Sequence, residues 1–408
     1  MTYDNLTQCL ACGGRELKQY LDLGRQVFAN TYPEKYRVDS VLPSAPLRLN
    51  LCIECFHSQL SVIADPVELF SDYLYVSSTT STLKDHFRSL VNQSLPMKRL
   101  SEVSVLDIGA NDYSLLKEFK SRGVMVEGVD PAANLAEQAG DIPALVDFWG
   151  KDTWLKLKQA PYDLITGLNV FAHNKNPLEF LLACKQVLKK DGKILLEFPW
   201  LRETIARNSL GQCYHEHISY FTVGSMQTLV ERAGLRIADI ILFEDIHDGT
   251  LRFILDRELA PPSDKVRYFR LIELLAGFYE VQTYVDFGTQ VKANIKQLEA
   301  LLSDLSRESK VVCYGASAKL STVLGCFKEP PSTMIECIVD DNLLKVGRLQ
   351  TSTEIRIYSP EELKKFSTPL TIVITPDNFF REIKSRLTKM GIHGQLVRYC
   401  PVVSVEGI

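Results

Sequence analysis

Short apolar runs, each closed by glycine or an acid, alternate with amphipathic helical stretches through the middle and last parts of this chain. Val103-Ser104-Val105-Leu106-Asp107-Ile108-Gly109 reads as a buried parallel strand entering a turn, and Leu115, Leu116 and Phe119 mark the helix after it. A second strand, Val124 to Asp130, ends in an acid about 20 positions beyond the turn. The same sheet continues through Tyr162 to Gly167 and Gly192 to Phe198, with a helix at Asn176 to Lys190 between them and another at Ser225 to Ala233 closed by Gly234. Pro261-Pro262 marks a boundary. Two helical patterns follow, the second with Phe287, Val291, Ile295, Leu298 and Leu302 on one face. Strand, turn and helix then return at Lys310 to Lys319, and further strands at Met334 to Asp340, Leu370 to Ile374 and Gln395 to Tyr399. The pattern predicts an α/β protein in three parts: a head of residues 1–70, an α/β unit over 71–257 and a second over 258–408.

The bulk numbers narrow the class. A chain of 408 residues holds two or three cores, and a net charge of −4 with 46% apolar residues gives no bias toward nucleic acid or membrane. Apolar runs fall short of a membrane span, and Met1 to Asn5 lacks a signal-peptide pattern, so the expectation is a cytoplasmic protein with neither nucleic acid nor membrane as partner. Ten cysteines are unevenly spread. Four form the pairs Cys9-Leu10-Ala11-Cys12 and Cys52-Ile53-Glu54-Cys55, a spacing that lets two tight turns aim four thiolates at one Zn2+ ion. Four sulfurs leave no position for water or substrate, so the expected zinc site is structural.

Candidate chemistry gathers in two places. Asp130 suits the two ribose hydroxyls of an adenosine ligand, but Gly109-Ala110-Asn111-Asp112-Tyr113 is not a Gly-x-Gly-x-x-Gly loop. Asp107, Asn111 and Asp112 are poor company for a pyrophosphate and good company for the ammonium and sulfonium of S-adenosylmethionine (SAM), which favours a methyltransferase over a nicotinamide enzyme. Asn169, in Asn169-Val170-Phe171-Ala172-His173, lies where the donor's methionine part or the acceptor would sit; His173 is an acceptor contact or a satisfied structural histidine. Phe148 or Trp149 would cover an adenine or fill a core. The second place is Tyr214-His215-Glu216-His217, four proton-handling side chains in a row that no strand or helix buries cheaply. The plainer reading is a hydrogen-bonded loop between domains. In the last part, Gly315-Ala316-Ser317-Ala318-Lys319 offers backbone N–H groups and an ammonium to a phosphate, with a dinucleotide site at Asp340 as the alternative, and Lys345 reads as solvated surface.

Together the two Cys-x-x-Cys pairs, Tyr-x-Tyr-x-Ser-Ser at 73–78, Gly-x-Asn-Asp at 109–112, Asn-Val-Phe-Ala-His at 169–173 and Tyr-His-Glu-His-Ile-Ser-Tyr-Phe at 214–221 resemble the sugar C-methyltransferases of deoxysugar biosynthesis. The resemblance covers nearly the whole chain. It implies a zinc-binding N-terminal domain, a central Rossmann-like class I methyltransferase domain and a C-terminal Rossmann-like domain, in a monomer that methylates a nucleotide-linked 4-keto-6-deoxy sugar beside the ketone. Carried over by residue, His217 would be the base, Glu216 and Tyr214 its supports, and Tyr75 a neighbour of the sugar. His173, His215, Lys319, Asn342 and Arg348 would contact the substrate. Departures are Tyr113 where the family has glycine, Asp248 in a His-Gly-Gly-Ser turn, and the lack of a Pro-Trp-Asn motif in the last domain. Donor binding survives Tyr113 with its side chain pointing outward.

Overall fold

The computed structural model describes residues 3–34, 42–70, 81–95, 99–246, 249–258, 260–367, 369–376 and 379–408. Tyr75 and Asp248 lie outside the described residues. The head comprises β1 (Tyr3–Asn5), β2 (Leu17–Val27), β3 (Ser44–Cys52), β4 (Ser58–Leu60), β5 (Val62–Ala64) and the short α1 (Pro66–Phe70). β2, β3 and β4 form an antiparallel meander and β1 pairs with β5. Period-two alternation in β3 turns Leu47, Leu49 and Leu51 into the core and Arg48 outward, which fixes the register.

The central unit begins with α2 (Ser81–Ser94) and runs through β6 (Ser104–Ile108), α3 (Ser114–Lys120), β7 (Met125–Asp130), β8 (Ala144–Val146), β9 (Tyr162–Leu168) and α4 (Pro177–Val187). It continues with β10 (Leu188–Pro199), α5 (Leu201–Ala206), β11 (Ser219–Tyr220), α6 (Val223–Arg232), β12 (Arg236–Phe243) and β13 (Thr250–Asp256). Seven of these strands make one sheet in the order β12-β13-β10-β9-β6-β7-β8, with β13 antiparallel to both neighbours. The order reverses at β6, so the carboxyl ends of β6, β7 and β9 open the crevice where such sheets take ligands. β11 leaves that sheet and pairs with β4 of the head, which carries the Tyr214–His217 segment to the seam between the two units.

Helix α4 stops three residues short of the predicted Lys190, because Leu188 already pairs with Tyr162 and starts β10 ahead of a register shift. The last region supplies α7 (Asp264–Leu275), α8 (Val281–Leu305), β14 (Lys310–Tyr314), α9 (Ala318–Gly325), β15 (Ile335–Val339), β16 (Ile357–Tyr358), β17 (Leu370–Ile374), α10 (Phe380–Lys389), β18 (Gly394–Arg398) and β19 (Ser404–Gly407). Its sheet runs β16-β15-β14-β17-β18-β19, parallel except for β19.

Packing joins the three regions. One core links Cys9, Ala11 and Cys52 with Phe171, Phe198, Phe221 and, from α7, Phe269; another links Leu21 and Leu49 with Phe287, Leu298 and Leu320. Glu273 of α7 clamps this junction, accepting from Trp200 Nε1 (2.8 Å), the backbone of Val223 (2.5 Å) and Gly224 (3.2 Å), and Tyr279 (2.8 Å). Four donors on one buried carboxylate are what burial of such a group requires.

Candidate active site

The turn after β6 needs unusual backbone. Gly109 has φ +75°, and a Cβ there would lie 2.9 Å from the Cβ of Val170, so the turn closes only with glycine. Asn111 follows at φ +50°, and its N–H donates to Asp130 Oδ2 at 2.8 Å; Asp130 Oδ1 accepts from Ala132 N–H at 2.8 Å. The carboxylate at the end of β7 is thus fixed while its remaining lone pairs stay available. Asp107 accepts from Thr166 Oγ1 at 2.6 Å. Burial pushes its carboxyl up to about 7, opposed by the Thr166 hydrogen bond and reinforced by Asp130 and Asp112. Asn169, at φ +54°, donates its N–H to Glu197 O at 2.7 Å, and Phe148 is half-buried just past β8. Asp107, Gly109, Asn111, Asp130, Phe148 and Asn169 therefore all come to the carboxyl edge of one sheet, where a glycine cradle beside three buried acids, Asp107, Asp112 and Asp130, suits a cationic adenosyl ligand.

Tyr113 corrects an expectation. Its side chain points inward, not outward: the residue is 1% exposed at φ +60°, and its ring fills the space over Gly128, where a Cβ would meet Tyr113 Cε1 at 2.7 Å.

In the Tyr214–His217 turn, His217 Nδ1 lies 2.9 Å from the carbonyl oxygen of Gln212, and Nε2 lies 2.8 Å from the Tyr214 hydroxyl. A carbonyl only accepts, so Nδ1 carries the hydrogen and Nε2 presents its lone pair to the Tyr214 O–H. A main-chain carbonyl, not a carboxylate, orients the ring. Glu216 instead accepts from Asn30 Nδ2 of the head. His173 stands edge-on to His217, ring centroids 4.7 Å apart, and burial pushes its pKa down to about 4, so it adds no positive charge there. His215 faces the other way: buried, with Nε2 donating to Ala45 O at 3.2 Å and its ring against Phe28, it ties the turn to the head and does not join the His217 cluster.

The third region closes on this turn. Thr322 Oγ1 of α9 donates to Cys213 O at 3.1 Å, and Lys319 lies along Gly211, where a Cβ would come within 2.4 Å of Lys319 Cδ. Asn342 caps its own loop through Leu344 N–H (2.9 Å), and Arg348 reaches Tyr32 O (3.3 Å) and Glu34 (3.6 Å) in the head. Lys345 is not solvated surface. Its Nζ donates to Ala316 O at 2.7 Å, lies 3.7 Å from Asp340 and sits 5.0 Å over the Tyr32 ring. Burial lowers its pKa, against the pull of Asp340 and Glu216. Tyr32 in turn donates its O–H to Ala316 O at 2.7 Å, and the same oxygen lies 3.3 Å from Asn30 Oδ1. Asn30, Tyr32 and Lys345 thus form a polar chain into Glu216. Sequence reading missed them because they converge from opposite ends of the chain, and the only local signal is the short polar Asn30-Thr31 step before Tyr32.

In the head, the sulfurs of Cys9, Cys12, Cys52 and Cys55 lie within 4.8 Å of one another, with Cys9–Cys55 and Cys12–Cys52 both at 3.5 Å. Gly13 at φ +84° turns the first knuckle, and Gly14 N–H points at Cys12 Sγ (3.3 Å). Four thiolates at this spacing fit tetrahedral zinc.

Residues 9–70 match a zinc binding domain family, residues 76–240 a methyltransferase domain family, and residues 245–401 the C-methyltransferase C-terminal domain. C-methyltransferase NovU of Streptomyces niveus is 31% identical over 330 residues, which is 78% of this chain and 77% of that protein. The chain belongs to the C-methyltransferase family. It is a SAM-dependent enzyme with a zinc-binding head, and its sheets are those of a Rossmann-like α/β protein. Two further likenesses to this C-methyltransferase are partial. The ubiquinone biosynthesis O-methyltransferase of Idiomarina loihiensis is 29% identical over 163 residues, 36% of this chain and 65% of that protein. The magnesium protoporphyrin IX methyltransferase of Synechocystis PCC 6803 is 14% identical with a TM-score of 0.34, covering 43% of this chain and 79% of that one.

Proposed function

We propose that this C-methyltransferase acts on a nucleotide-linked 4-keto-6-deoxy sugar in the cytoplasm, as a monomer, removing the C3 proton beside the ketone and methylating the resulting enolate. The observation that carries the reading is the fixed tautomer of His217, an Nε2 lone pair facing a hydroxyl donor. Carbon next to a ketone is barely acidic, so it needs a base at the C–H and a hydrogen-bond donor at the oxygen that gains charge. A positioned base contributes on the order of a hundred- to ten-thousand-fold, and an oxyanion donor a comparable factor. In this reading Tyr214, with Tyr75, gives its O–H to the ketone oxygen, which leaves Nε2 of His217 to take the ring proton. The imidazolium that forms keeps its Nδ1–H on Gln212 O, while Glu216 is held by Asn30. His173 stays neutral and does not repel it. SAM, held by Asp107, Gly109, Asn111, Asp130, Phe148 and Asn169, supplies an electrophilic methyl group when bound.

Lys319, Asn342 and Arg348 take the nucleotide end. The support for this is the docking of α9 onto the segment that holds His217, which brings a helix N-terminus and an ammonium near the turn. The test is incubation with methyl-labelled SAM and a panel of 4-keto and 4-hydroxy nucleotide sugars. Label stable to base on a ring carbon of a 4-keto sugar supports the proposal; label on oxygen, or turnover only with 4-hydroxy sugars, refutes it.

A further inference from the structure

We propose that the Tyr113 hydroxyl is a contact of the methyl-donor site, giving its hydrogen bond to the ribose diol of the adenosyl group whose hydroxyls Asp130 accepts. Three observations carry this. Tyr113 holds a left-handed backbone at φ +60° and ψ +15° before α3, a conformation that an aromatic residue adopts rarely, and such outliers are kept at functional sites. Its ring has been given a slot. Gly128 and Asp130 stand two apart on β7 and share a face of the sheet, and only the missing Cβ at Gly128 admits the ring, so the side chain lies along the face that bears Asp130.

The third observation concerns the oxygen. The hydroxyl is buried and makes no hydrogen bond to any described residue, although it feels the charges of Asp130 and Asp107. Burial first, then those two carboxylates, push its pKa up to about 12, so it remains an O–H donor across the physiological range. Phenylalanine would pack as well without an unpaired hydroxyl, so packing alone does not explain tyrosine. A diol supplies the complement. Its O–H groups go to Asp130, which can only accept, and its oxygens keep lone pairs that need a donor.

The inference rests on the reading that Asp130 faces the ribose. Equilibrium binding of SAM and S-adenosylhomocysteine to the full-length protein is measured for wild type, Tyr113→Phe and Asp130→Ala, with thermal unfolding of each ligand-free protein. The expected result is a roughly two- to tenfold loss of affinity in Tyr113→Phe, the range of one neutral hydrogen bond. That loss should vanish with the 2′,3′-dideoxy analogue of S-adenosylhomocysteine, and the ligand-free variant should melt no lower than wild type. Unchanged affinity in Tyr113→Phe with a large loss in Asp130→Ala overturns the proposal alone. Unchanged affinity in both overturns the placement of the ribose and the proposal with it.

Discussion

Replacing Glu197 with glutamine perturbs the donor edge without touching a bound group. Glu197 on β10 and Arg252 on β13 are paired side by side and each 1% exposed; Arg252 Nε bonds one carboxylate oxygen and His86 Nε2 lies 2.7 Å from the other. At a charge separation of about 4 Å and an effective dielectric near 20, the attraction is roughly 4 kcal/mol. Desolvation costs several kcal/mol per ion, so the intact pair is close to break-even. Removing the anion alone leaves a buried cation. The expected loss is therefore about 3–5 kcal/mol, against a total stability of roughly 5–15 kcal/mol. The double variant Glu197→Gln/Arg252→Met should recover part of the loss.

The pH dependence has a definite sign. Burial pushes the Glu197 carboxyl up, but the His86 hydrogen bond and the Arg252 charge outweigh it and hold the group below its usual range. A depressed folded-state pKa gives stability that is present above the unfolded value, about 4.3, and lost as pH falls through the folded one. Wild type should lose stability below about pH 4.3 with a slope that Glu197→Gln lacks. Urea unfolding at several pH values, with hydrogen exchange on β10 and β13 as a local readout, checks both points. A loss under about 1 kcal/mol, or a double variant no more stable than Glu197→Gln, would show that Arg252 is not left as an uncompensated buried cation.

Three further outcomes are expected. The Asp107 pKa, raised to about 7, means that the ligand-free protein gains stability below the unfolded value and loses it as pH rises through 7, and that a cationic donor favours the ionised form. SAM affinity should therefore climb as pH rises toward 7 and level off above it, less steeply for S-adenosylhomocysteine; calorimetric titrations that show no pH dependence would contradict this. Replacing Cys9 or Cys52 with serine should abolish zinc binding and loosen the core that Cys9 and Cys52 share with the central sheet, read by metal analysis and unfolding; a folded, zinc-free, fully active variant would count against a structural metal. Gly109→Ala forces a Cβ against Val170 in a left-handed turn that costs roughly 1–2 kcal/mol; SAM binding should weaken at least tenfold, and wild-type affinity would show that the turn is not part of the pocket.

Much of the architecture was legible because its determinants are local. The two Cys-x-x-Cys pairs set the metal site, and the near-continuous apolar run from Val103 to Ile108 reads as a parallel strand, which the structure buries on both faces. The end of α4 is not legible in the sequence because residues with good helical propensity at 188–190 lose to pairing of Leu188 with Tyr162, a tertiary choice that no local pattern reveals. The surroundings of His217 were legible only in part. Tyr214 lies one turn away in sequence, whereas the orienting group is the backbone oxygen of Gln212, which side-chain chemistry does not advertise. Lys345 reads as a surface lysine by composition and is drawn inside by Asp340 and the Tyr32 ring, the latter more than three hundred positions away in the chain. Tyr113 turns inward because of the glycine at 128, in the next strand, which no pattern local to residue 113 reveals.

The most direct test of the account is solvent deuterium exchange at the sugar ring carbon beside the ketone, followed by NMR with S-adenosylhomocysteine in place of the donor. Wild type should exchange that hydrogen, and His217→Asn, which removes the Nε2 lone pair that faces Tyr214, should lose both exchange and methyl transfer. Exchange that persists in His217→Asn would assign the base to another group and contradict the account.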